Sequence, residues 1–206
     1  MSERMIEPVK SNTEKALTYC QMKGRYNKAM KEGFYFEAVA IDYALIEDRL
    51  RSFLYHIGVL NTRESAKSDV KETKKFHIEI YNNFFDKKFT GLDLKNISAK
   101  YGLIRAVLNW VTTTEGAEGK YQIKLKYACE SLDAEDVFNC IDKLEKWCDY
   151  RNEIIHGLMN KKVESLYSEL AEKADEGMKL ATKIDAYVDI VSKGHIVRQS
   201  LNLKTE

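Results

Sequence analysis

Phe34-Tyr35-Phe36-Glu37-Ala38-Val39-Ala40-Ile41-Asp42-Tyr43-Ala44-Leu45-Ile46-Glu47-Asp48-Arg49-Leu50-Arg51-Ser52-Phe53-Leu54-Tyr55-His56-Ile57-Gly58-Val59-Leu60 is the most apolar stretch of the chain. It is too long and unbroken for an ordinary strand, and its polar members Glu37, Asp42, Glu47, Asp48 and Arg51 are sparse. That pattern predicts a helix buried on most sides at the centre of a bundle. A carboxylate in such a place is costly without a charged partner, so Glu47 or Asp48 is expected to be paired. Gly58 and Asn61-Thr62 read as the exit from this helix.

The rest of the composition agrees with a helical frame. One proline and ten glycines in 206 residues leave little punctuation, which favours long helices over a turn-rich sheet. A hydrophobic content of 44% is enough for a proper core in one good-sized domain. Lys and Arg (33) nearly balance Asp and Glu (32), so any nucleic-acid contact has to come from a local basic patch. Cys20, Cys129, Cys140 and Cys148 have no CxxC spacing and no partner histidines at zinc intervals, so free thiols are expected and a metal site is not. MSERMIEPVKSN at the start lacks an apolar signal core, and no run approaches ~18 apolar residues. A soluble, cytoplasmic protein without membrane association is the expectation.

Outward from the central helix, 11–32 opens on the capping-box pattern Ser11-Asn12-Thr13-Glu14 and continues as a helix to Gly33. Residues 62–91 start highly charged and turn aromatic at Phe76, Tyr81, Phe84, Phe85 and Phe89, as an amphipathic segment docking on the bundle would. Helical spacing recurs over 95–114 and 118–131. Asp133-Ala134-Glu135-Asp136 is an N-cap with acids in the first turn, opening a helix that runs to Gly157. A last amphipathic helix is expected over 163–192, followed by a polar, mobile tail after Gly194. No linker separates domains, so 1–206 reads as one all-α domain with its core over 11–192.

Near the end of the 133–157 helix stands Trp147-Cys148-Asp149-Tyr150-Arg151-Asn152-Glu153-Ile154-Ile155-His156-Gly157. Arginine holds phosphate oxygens with a planar fork of donors, and histidine moves protons near neutral pH. The pair suits phosphodiester chemistry. On a straight helix five positions at ~100° put Arg151 and His156 ~140° apart, whereas Asn152 and His156 share a face. Convergence therefore requires either a distorted helix before Gly157 or a second chain.

Arg151-Asn152-Glu153-Ile154-Ile155-His156 resembles the R-x4–6-H signature of the HEPN family, small all-helical domains. Ala44-Leu45-Ile46-Glu47-Asp48-Arg49-Leu50-Arg51 is similar to that family's acidic, leucine-rich central helix. The likeness covers residues 34–190 in layout, with these two segments carrying it. It implies an up-and-down bundle of about five to seven helices and a homodimer whose two motifs form one composite site. It also implies metal-independent, cofactor-free RNA cleavage, with 2′-hydroxyl attack leaving a 2′,3′-cyclic phosphate. Arg151, Asn152 and His156 become the catalytic candidates, with Glu47, or else Asp48, orienting Arg151. Toxins and antiviral defence effectors, often restrained by an antitoxin or other regulatory partner, are common among small members of the family.

Competing readings are narrower. Glu153 and His156 have the E-x-x-H spacing of di-iron bundles, but no second copy exists. Cys148 reads as a small core filler rather than a nucleophile. His56, His77 and His195 read as structural or exposed. Lys161 and Lys162 follow the motif closely enough to contact RNA phosphates, although a solvated surface is the default for them. The rival function is a non-catalytic helical module that uses the motif as a nucleotide- or partner-binding site.

Overall fold

The computed structural model describes residues 12–60, 68–157, 160 and 163–202. Seven helices follow one another: α1 (Asn12–Glu32), α2 (Tyr35–His56), α3 (Ser68–Phe85), α4 (Ile97–Thr113), α5 (Gly119–Cys129), α6 (Ala134–Gly157) and α7 (Val163–Ser192). A 3-10 turn (Lys193–His195) and the short α8 (Ile196–Ser200) complete the order. No strand occurs among the described residues, and the fold class is all-α, as the periodicity requires.

The apolar stretch is the central helix. Ala38, Ile46, Leu50, Phe53 and Leu54 of α2 are each almost wholly buried, and its most extensive partner is α7, on which Leu170, Ala174, Ile184 and Val188 are buried. Burying one such aliphatic side chain contributes about 1.5–3 kcal/mol, so these two helices carry much of the hydrophobic stabilisation. α6 closes a third side with Leu144 and Trp147, whose indole Nε1 donates to the Lys173 carbonyl at 2.7 Å. Asp133 caps α6 as expected, its Oδ1 accepting from the Asp136 amide at 3.1 Å.

Two glycines are required by contact. Gly58 takes φ +80°, which ends α2, and a Cβ there would stand 2.7 Å from Leu201 Cδ1. Gly177 on α7 lets α2 approach, since a Cβ would meet Trp147 Cζ2 at 2.7 Å and Asp42 Oδ2 at 2.8 Å. Asp42 is therefore sealed in, 0% exposed, with neither carboxyl oxygen hydrogen-bonded. Burial, with the field of Asp175 adding to it, pushes its pKa up to about 8, so the side chain is mostly neutral at pH 7.

α1 runs through Gly24 to Glu32 as one helix, as expected. Two expectations change. The aromatic segment leaves the helix at Phe85, where Asp86 turns to φ +49° and the Asn82 side-chain amide clasps Phe89 N and O at 2.9 and 2.8 Å. Among the described residues after Gly194 the chain is a packed short helix and not a polar tail. Val197, Arg198 and Leu201 are buried, with Arg198 Nη1 donating to the Tyr55 and Leu60 carbonyls at 3.1 and 3.3 Å and its guanidinium 3.6 Å over the Tyr55 ring. The buried end of α2 and the residues just after it leave carbonyls to satisfy, and this arginine satisfies those of Tyr55 and Leu60. Ser11 of the capping box lies outside the described residues.

Candidate active site at the end of the sixth helix

α6 is continuous helix from Ala134 to Gly157, so the distortion that could have brought Arg151 and His156 together within one chain does not occur. The two side chains leave the helix in different directions. Ile154 between them is 2% exposed and anchors the last turn to the core, whereas Asn152 and His156 are exposed. Arg151 is half-buried, its guanidinium 4.2 Å over the Tyr43 ring of α2. Its Nη1 donates to Asn152 Oδ1 at 3.0 Å, while its Nε is buried without a hydrogen-bond partner. Asn152 thus links the inward arginine to the outward face that carries His156.

Neither proposed acid holds Arg151. Glu47 accepts from Lys100 Nζ at 2.8 Å, and the Lys100 side chain is only 4% exposed. A buried ammonium has the greater need of a carboxylate, and α4 delivers it to the Glu47 turn of α2. Asp48 faces the other way, accepting from Arg49 at 2.7 Å, from Lys15 at 3.1 Å and from the Tyr19 hydroxyl. Arg49 also donates to Asp185 on α7 at 2.7 Å. Burial opposes charge on Arg49, but its bonds to Asp185 and Asp48 outweigh that and raise its pKa. For Asp48 the bonds from Tyr19, Arg49 and Lys15 overcome burial and lower it.

Tyr43 is the residue that the sequence reading missed. Its pKa is raised, first by burial and then by the field of Glu47, with Arg151 acting in the opposite sense. Glu47 and Arg151 therefore act on the same tyrosine in opposite senses without pairing with each other. The spacing of Tyr43 one turn before Glu47 was the available signal. Cys148 is 4% exposed and burial pushes its thiol up to about 12, so it is a protonated core side chain at neutral pH. Tyr150 fixes the α6–α7 junction by donating to Glu169 Oε2 at 3.1 Å. Lys161 and Lys162 lie outside the described residues.

The other histidines are placed away from the motif. His77 is 2% exposed, its Nε2 2.7 Å from a Tyr121 hydroxyl that also donates to the Ile57 carbonyl at 2.9 Å. Burial takes its pKa down to about 3. His56 and His195 lie with ring centroids 5.8 Å apart, and burial, then His195 and Arg198, lowers His56 to about 4. Among the described residues no three His, Cys, Asp or Glu side chains are grouped to hold a metal ion, and no helix is long and apolar enough to cross a membrane.

Fold and site together define an all-α bundle with a half-buried Arg151 and an exposed Asn152 and His156 at the carboxy-terminal end of its sixth helix. No protein-family model, curated protein or solved structure matches the chain.

Proposed function

We propose that this chain is a HEPN-like, metal-independent endoribonuclease acting as a homodimer, with a toxin or antiviral defence role under the control of an antitoxin or similar regulatory partner. The observation that supports this reading best is the exposed Asn152–His156 face, tethered through Asn152 to an arginine whose guanidinium carries no carboxylate partner among the described residues. An arginine left without an anion keeps its charge for an incoming phosphate.

In the proposed reaction the RNA 2′-oxygen forms a bond to phosphorus and the bond from phosphorus to the 5′-oxygen breaks. One His156 takes the 2′-hydroxyl proton, and the second, from the other copy, gives a proton to the departing 5′-oxygen. Two copies are needed because a single unbroken helix presents only one histidine to the cleavage site. Arg151 offsets the charge that develops on the phosphoryl oxygens. Asn152 holds the guanidinium and offers its amide to the substrate.

The test is cleavage of an end-labelled single-stranded RNA in EDTA. Wild type is expected to yield 2′,3′-cyclic phosphate ends, and His156→Ala none. Cleavage that EDTA stops, or that survives His156→Ala, would overturn the scheme. One observation favours the rival binding module: Arg151 is packed on Tyr43 and partly withdrawn from solvent. RNA binding without cleavage by the wild-type dimer would decide for that reading.

A further inference from the structure

A cleft of about 490 Å³ opens between the later turns of α2 and the start of α4, lined by Glu47, Arg51, Leu60, Asp93, Leu94, Lys95 and Lys100. Its volume falls in the range that takes a small polar ligand. The charges in it are unevenly satisfied. Lys100 lies at its buried side, and two of its three ammonium donors go to Glu47 Oε1 at 2.8 Å and to the Lys95 carbonyl at 3.1 Å. Asp93 Oδ1 is used locally, accepting from the Lys95 amide at 3.1 Å. The Arg51 guanidinium and the Lys95 ammonium have no anionic partner among the described residues.

The surroundings add to the positive potential. The first turn of α4 contains no acidic residue, and its cap residue Asn96 makes no side-chain capping bond. No acid within that turn offsets the helix dipole, which favours an anion at the same mouth. Leu60 and Leu94 supply apolar wall, and the second oxygen of Glu47 remains free to accept from a ligand hydroxyl.

We propose that this cleft is a phosphate-binding site, holding a phosphoryl group between Arg51 and Lys95 with Lys100 behind it. Arginine with a planar fork and lysine as a point charge are the side chains that such a dianion selects. Glu47 and Asp93 add acceptors for hydroxyl groups, which suits a phosphate ester that carries them, such as a sugar phosphate or the ribose-phosphate unit of RNA. The two sources are separable. Tyr43, Glu47 and Arg51 occupy successive turns of α2, so the cleft begins at Glu47, about 6 Å along the helix from the Tyr43 turn that carries Arg151, and Arg51 lies about 12 Å along it, within reach of one RNA strand.

The site does not depend on the ribonuclease reading, because its test reads binding and not cleavage. Ribose 5-phosphate and a short single-stranded RNA are titrated calorimetrically into the full chain as His156→Ala, at ionic strength held constant with sodium chloride. The expected result is saturable binding of ribose 5-phosphate that weakens at least about tenfold in Arg51→Ala/Lys95→Ala, since losing charged hydrogen bonds costs about 1.5–3 kcal/mol. Both side chains are exposed, so the double variant is expected to melt with the parent. Variant-sensitive binding of RNA alone would assign the phosphate to a nucleic-acid strand and keep the site. Binding of neither probe at millimolar concentration, or equal binding by parent and double variant, would overturn it.

Discussion

Two arginines lie over tyrosine rings at the same 4.2 Å distance, and they are otherwise opposites. Arg49 covers Tyr19 and is held by two carboxylates, Asp48 and Asp185, that tie α2 to α7. Arg151 covers Tyr43 and is held by one amide oxygen, that of Asn152. The first has its charge met by two carboxylates and fixes helices, although its Nε, like that of Arg151, makes no hydrogen bond. The second has no carboxylate partner among the described residues and stands five residues before an exposed histidine on the same helix. A bundle needs only the former kind to stand, so the arginine without a carboxylate is where function is to be sought.

The largest expected effect separates the two on activity. Arg151→Ala and His156→Ala should each reduce RNA cleavage by at least about a hundredfold, in the range attributed to a positioned charge or proton-transfer group. Arg49→Ala should leave the rate per folded molecule within about twofold. End-labelled RNA kinetics, normalised to folded protein by circular dichroism, make the comparison. Equal losses from both arginines would remove the distinction and the site with it.

Next comes the carboxyl of α2 that is wholly buried with neither oxygen hydrogen-bonded. Asp42 binds a proton in the folded chain up to about pH 8, far above its ordinary value near 4, because of burial and then Asp175. Folded protein therefore holds more protons than unfolded, and stability falls as pH rises through that interval. His56 and His77, lowered to about 4 and 3, act oppositely: their stabilising contribution is lost as pH falls below about 6.5. Between pH 6.5 and 8 the Asp42 effect stands alone among these three. Urea unfolding should lose up to about 2 kcal/mol across that window in wild type and stay nearly flat in Asp42→Asn. A flat wild-type profile would mean that Asp42 is ionised in the fold.

Stability then separates the arginines in the reverse order. Arg49→Ala strips charged hydrogen bonds from two partly exposed carboxylates and should cost about 1–3 kcal/mol in urea unfolding. Arg151→Ala removes a ring contact and one neutral acceptor, and should cost less than about 1 kcal/mol. A loss from Arg151→Ala as large as that from Arg49→Ala would make Arg151 a scaffold residue.

How far these differences could be read in advance depends on the kind of constraint. α2 was legible because its apolar run admits one solution, and Asp133 and Gly58 mark helix ends through rules that act over a few residues. Arg151, Asn152 and His156 were legible as a spacing, and so was the ~140° divergence, since both follow from helix geometry alone. The partners were not. Glu47, Asp48 and Arg49 are neighbours in sequence yet turn to α4, α1 and α7, and which helix meets which turn is a tertiary matter. The packed segment Val197–Leu201 was missed for a similar reason: its single buried arginine reads as polar until the carbonyls at the end of α2 are seen beside it. Gly177 looks unremarkable in a helix until Trp147 and Asp42 are found against it.

The smallest expected effect bears on whether the two regions are independent. Glu47 was expected to orient Arg151 directly, and instead it neutralises Lys100. Glu47→Gln keeps an oxygen for the Lys100 ammonium and removes the charge, so unfolding free energy should drop by about 1 kcal/mol, a modest figure because the Glu47 side chain is 39% exposed. Cleavage per folded molecule should not change, because the acid touches neither Arg151 nor His156. Tyr43 lies between them, however, and its hydroxyl feels both Glu47 and Arg151. Tyr43→Phe with Glu47→Gln forms a double-mutant cycle on that route. Additive effects on cleavage would confine Glu47 to the Lys100 cleft. A coupling above about 0.5 kcal/mol would mean that the charge of the central helix reaches the arginine through the ring on which it rests.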